Sequence, residues 1–81
     1  MRTFEDSAGA SWSATVHEAA GYDYKGRYYF VLQSDDAAVS LTDVRWNSEK
    51  AARRALDTMA EAELQRRLRS ALGRGTVHAV S

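Results

Sequence analysis

Hydrophobic and polar positions change their spacing once along this chain, near residue 47. Before that point the period is two. Trp12, Ala14 and Val16 alternate with Ser13, Thr15 and His17, and Tyr28, Phe30 and Leu32 alternate with Tyr29, Val31 and Gln33. Successive side chains of a strand point to opposite faces, so each run predicts a strand with one face turned to a core. Phe4 starts a shorter extended piece, separated from Trp12 by Asp6-Ser7-Ala8-Gly9, whose residue types suit a hairpin turn. A fourth run, Val39 to Trp46, alternates as far as Asp43, where the apolar phase slips from Val39 and Leu41 to Val44 and Trp46. A bulge or strand end is expected at the slip. The connectors Gly21 to Gly26 and Ser34 to Ala37 are short enough to join neighbouring antiparallel strands.

From residue 48 the spacing is helical. Asn47-Ser48 offers an N-cap for the free N–H groups of a first turn, with Trp46 placed to cover that turn. Ala52, Ala55, Leu56 and Met59 make one apolar stripe, and Ala60, Leu64, Leu68, Ala71 and Leu72 make a second. The second is rotated from the first by about 150°, too far for one straight helix to bury both on one sheet. Two short helices joined by a tight turn resolve the conflict, and Thr58 to Glu61 has capping-box spacing for the second. The competing arrangement is one long helix that presents its second stripe to another subunit. Gly73 and Gly75 stop helix growth, and residues 73–81 form a C-terminal tail that either adds as a strand or stays disordered. The expected fold class is α+β: an antiparallel meander of about four strands, then one long or two short C-terminal helices packed on one face. It forms a single domain over residues 1–72, with strands in 1–46 and the helical part in 48–72. Its core is expected from Trp12, Val16, Tyr28, Phe30, Leu32, Val39, Leu41, Trp46, Leu56, Met59, Leu64 and Leu68.

Length and composition narrow the functional classes. A chain of 81 residues buries only about 60–65% of its unfolded surface, which leaves no room for a second domain or a deep substrate cavity. There is no cysteine, which excludes disulfide scaffolds, thiolate zinc sites, thiol nucleophiles and iron–sulfur clusters, and makes a reducing, cytoplasmic setting the simplest one. The first twenty residues lack the charged start and apolar run of a signal peptide, and no window approaches about 18 consecutive apolar residues, so no membrane partner is expected. The formal net charge of zero conceals a split. Residues 1–47 hold four bases and seven acids, a net of −3, whereas residues 48–81 hold seven bases and four acids, a net of +3.

The inventory for catalysis is thin. Asp35-Asp36 fall in a turn, where such side chains bond their own backbone and stay in water. His17 and His78 have no nucleophile spaced beside them, and two histidines so far apart, without a thiol or an acidic loop, match no zinc or calcium pattern. Phosphate-binding and dinucleotide fingerprints are absent. The expectation is therefore no catalytic residue, no metal and no cofactor.

The segment with most chemical character is Tyr22 to Val31, in which Lys25 and Arg27 interleave with Tyr24, Tyr28 and Tyr29. Bases stack on rings while cations meet phosphates, so this pattern carries an alternative reading as a single-stranded nucleic-acid platform. The Lys25-Gly26-Arg27 turn before an apolar strand, within four strands followed by a helix, resembles the single-stranded-DNA binders of the transcriptional-coactivator p15 and PUR type over roughly residues 20–57. That resemblance implies nucleic acid as partner. The opening Phe4, Asp6, Gly9 and Trp12 also resembles a Phe-x-Asp-x-x-Gly-x-x-Trp hairpin of small bacterial proteins and supports the hairpin alone.

The leading expectation is a protein-interaction module, self-associating or adaptor, with a homodimer favoured. A meander has two faces, and the chain has enough helix to cover one. The candidate interaction surface is Tyr24, Lys25, Arg27, Tyr29 and Val31 on the sheet, with Leu64, Leu68 and Leu72 on the second stripe. Arg54, Arg66 and Arg69 form a helix arginine face, solvated through Glu-to-Arg pairs such as Glu49/Arg53 and Glu63/Arg67 and open to an acidic partner.

Overall fold

The computed structural model describes residues 1–19, 26–73 and 77–79. The connector read over 21–26 therefore lies, except for Gly26, outside the described residues. Five strands form one antiparallel sheet in the order β1 (Arg2–Glu5), β2 (Ser11–Glu18), β3 (Tyr28–Gln33), β4 (Ala37–Trp46) and β5 (Val77–Ala79), with helices α1 (Glu49–Thr58) and α2 (Glu61–Gly73) between β4 and β5. The α+β arrangement is the expected one. Part of the C-terminal tail adds to it, since Val77–Ala79 pairs with Val39–Ala37 as a fifth strand.

The β1–β2 hairpin is closed by Asp6. Its amide donates to the Ala10 carbonyl (2.9 Å) and its carbonyl accepts from Gly9 N–H (3.0 Å), while Gly9 takes φ +86°. This is a three-residue hairpin loop in which glycine supplies the left-handed position. One carboxylate oxygen of Asp6 accepts from Ala8 and Ala10 N–H, and the other from the Trp12 indole, all at 2.9 Å. The β3–β4 turn works differently from expectation. Asp35 and Asp36 are exposed, and the Ser34 hydroxyl, not an aspartate, accepts from Asp36 and Ala37 N–H.

The slip read at Asp43 is a real irregularity. Tyr28 pairs with Trp46 but Phe30 pairs with Leu41, so one residue of β3 faces four of β4. An odd number of extra residues inverts the side-chain phase. Trp46 thereby joins the helix-side face and stacks on Phe30 at 4.3 Å.

Ser48 caps α1 through its hydroxyl, which accepts from Ala51 N–H. The helix ends where Met59 turns extended (φ −70°, ψ 136°), and the Ala60 carbonyl then accepts from Glu63 and Leu64 N–H to open α2. The single long helix is thus excluded: the extended residue rotates the second stripe so that both stripes meet the same sheet. Thr58 does not cap α2, because its hydroxyl donates back to the Arg54 carbonyl at 2.9 Å. The Arg2 guanidinium reaches from β1 to the Leu56 carbonyl (3.0 Å) and the Met59 carbonyl, closing the free end of α1. On α2, Glu61 accepts from Glu5 N–H and Gln65 donates to the Glu5 carbonyl, so α2 occupies the outward main-chain groups of Glu5 at the end of edge strand β1.

Both helices lie on one face. The core is Phe4, Trp12, Ala14, Phe30, Leu32, Val39 and Leu41 from the sheet, with Ala52, Leu56, Leu64, Leu68 and Ala71 from the helices. Val16, Tyr28, Trp46 and Met59, expected at the centre, pack around its rim. Leu64 and Leu68 are 0% and 1% exposed.

Candidate interaction surface

The face turned away from the helices carries the odd-numbered residues of β2 and β3. Register places Ser13 opposite Gln33, Thr15 opposite Val31 and His17 opposite Tyr29, and Val31 also lies opposite Ser40 of β4. Both helices pack on the opposite face, and the exposed large apolar side chains among the described residues are Met1 and Leu72. Val31, opposite Thr15 on one side and Ser40 on the other, is only 9% exposed. Tyr29 is half-buried, with the His17 ring 6.1 Å away and the Arg45 guanidinium 5.5 Å over its own ring. Arg45 reaches that position because the β4 irregularity folds back on itself, its Nε donating to the Thr42 carbonyl (3.0 Å) and its terminal amine to the Gly26 carbonyl (3.3 Å). Gly26 is held there by necessity. Its φ is +109°, and a Cβ would stand 2.7 Å from the Trp46 carbonyl oxygen.

The two ends of the face differ in charge. Arg27 and Arg45 stand at the end where β3 begins, Arg27 3.6 Å from the Glu18 carboxylate with both side chains more than half exposed. At the other end a shallow groove of about 430 Å³ is bounded by Thr3, Ser11, Ser13, Gln33, Ser34 and Asp35, and Asp36 follows in the exposed turn.

Among the sequence-selected residues, Arg27, Tyr29 and Val31 come together on or beside this face, whereas Tyr24 and Lys25 lie outside the described residues. Leu64 and Leu68 are corrected: they fill the core and offer nothing to a second subunit, because the α1–α2 break turns their stripe inward. Leu72, at the end of that stripe, remains 42% exposed. Arg54, Arg66 and Arg69 are exposed on the helix layer, away from the open face, and Arg66 and Arg67 both pair with Glu63. Arg45 was missed as a site residue, although the slip at Asp43 was the signal that would have moved it beside Tyr29.

The Trp12 indole first, then the Ala10 and Ala8 amides, hold the Asp6 carboxyl below its ordinary value, which keeps it ionised and occupied. Among the described residues no three His, Asp or Glu side chains converge as metal ligands, and no helix is long and apolar enough to cross a membrane. Comparison with family models, with curated proteins and with solved structures gives no match. The likeness to the single-stranded-DNA binders stays one of sequence pattern.

Proposed function

We propose that this chain is a small protein-interaction module of a reducing, cytoplasmic setting, and that it docks through the open face of β2, β3 and β4. The observation that supports this most is the one-sided cover: both helices pack against the same face, and Tyr29 and Val31 occupy the middle of the other. A flat patch with one aromatic anchor, a rim of hydroxyls and a cation at its edge has the make-up of a small protein interface. No catalytic step belongs to this reading. Purification of the chain from its native cell, in parallel with Tyr29→Ala, tests it. Protein or a second copy retained by the parent and lost from the variant is the expected result; elution alone, or with nucleic acid, overturns it.

One observation favours a second reading. Tyr29 stands between His17 and Arg45, as in a stacking platform for single strands. It ranks second because Arg27 is paired with Glu18, Arg45 already covers the Tyr29 ring, and the helix arginines lie on the far side of the sheet. Anisotropy titration with labelled oligo-dT in about 50 mM salt checks it: micromolar binding, weakened by roughly 1–3 kcal/mol in Tyr29→Ala, would place it first.

A further inference from the structure

The acidic end of the open face turns a corner into a second groove. Its volume is about 520 Å³, and it shares Ser11, Trp12, Ser34 and Asp35 with the groove on the face itself. Its apolar wall includes Ala37 and Leu72, and Leu72, carried there by the last turn of α2, is 42% exposed. Resting on the interaction reading, we propose that this groove takes a cationic and apolar segment of a partner protein: a Lys or Arg set against Asp35 and Asp36, beside a Leu-sized side chain that packs on Leu72.

Charge selects the sign of the occupant. Asp6, Asp35 and Asp36 line the groove, and no described Lys or Arg does; Arg69, one turn before Leu72 on α2, stands outside the lining. Asp6 is spent on its own hairpin. Asp35 and Asp36 are available, because the Ser34 hydroxyl holds their turn and neither carboxylate has a hydrogen-bond or ion-pair partner among the described residues. Two adjacent carboxylates repel each other, a bound cation relieves both, and a polyanion meets them as a barrier. The apolar wall asks for more than a bare cation. Lys and Arg lay their stems along such a wall while the head group stays at a wet rim, and the volume falls within the range of about 300–1,000 Å³ that holds a ligand. Continuity of the two grooves points to a chain segment. Asp35 lies six residues beyond Tyr29, about 20 Å of strand, so about six extended residues of a partner span from the Tyr29 ring to the acidic turn.

Fluorescence anisotropy of the labelled peptide Gly-Ser-Lys-Leu-Lys-Leu-Lys-Ser-Gly, titrated with the full chain from about 1 µM to 1 mM in about 50 mM salt, tests this. Saturable binding is expected. Asp35→Asn combined with Asp36→Asn should raise the dissociation constant at least about tenfold, and Leu72→Ser should raise it several-fold. The same peptide with serine in place of leucine should bind at least about tenfold more weakly than the original. The substitutions fall in an exposed turn and on an exposed side chain, so far-ultraviolet dichroism should not change. A parent chain that never saturates, or binding indifferent to the paired Asn variant or to Leu72→Ser, overturns the proposal. Equal binding of the leucine-free peptide is charge attraction alone and overturns it too. A parent that ignores the peptide yet retains a native protein through Tyr29 removes this inference and leaves the interaction reading standing; one that ignores the peptide and retains nothing removes both.

Discussion

Two glycines show how differently single positions are constrained. Gly9 and Gly26 both take positive φ, but nothing lies within 4 Å of a Cβ built on Gly9, whereas one on Gly26 meets Trp46 backbone at 2.7 and 2.9 Å. Gly9→Ala should cost only the backbone term, about 1–2 kcal/mol. Gly26→Ala should cost clearly more, because β4 backbone must move as well, and the difference is read from paired urea melts. Asp6 is constrained by its protonation state. Its folded-state pKa lies below the ordinary aspartate value of 3.8, so its contribution is complete above that value and is lost as pH falls through the lower folded-state pKa. The gap in melting temperature between the parent and Asp6→Asn should therefore hold from pH 7 to about 5 and narrow in strong acid. A gap that instead widened on acidification would show that the carboxylate is not what closes the hairpin.

At the scale of elements, α1 lacks a basic residue in its last turn, and Arg2 supplies the missing donor from another part of the chain. Arg2→Ala should cost about 1–3 kcal/mol and should speed amide exchange in the last turn of α1 more than in α2. The strands were legible because half-buried strands alternate, and the α1–α2 break because two stripes so far rotated cannot share one straight helix. The cap of α2 was not legible. Thr58 has the right spacing, but its hydroxyl finds the carbonyl one turn back within its own helix, a local competitor that a motif does not weigh. The open face was legible only in part: Tyr29 and Val31 follow from alternation, whereas for Arg45 the phase slip at Asp43 signals an irregularity but not its size, which sets how Arg45 meets Tyr29.

For the whole molecule, burial of both helix stripes against one face decides what a change in the second stripe does. Leu68 is 1% exposed within the core, so Leu68→Ala should destabilise by about 2–5 kcal/mol, and Leu68→Asp should unfold the chain rather than dissociate an assembly. Circular dichroism and sedimentation on the same sample separate these outcomes, and a folded monomeric Leu68→Asp would contradict the packing. The hold of α2 on β1 has a further consequence for handling. The amide and carbonyl of Glu5 are occupied by Glu61 and Gln65, side chains of a helix whose own attachment depends on Leu64 and Leu68. When α2 loosens, the Glu5 end of that strand edge is laid bare while the rest of the meander is still paired, and it lengthens the edge open to fibril growth. Solubility on heating or storage should then track the docking of one helix, and aggregation should begin below the temperature at which the sheet itself melts.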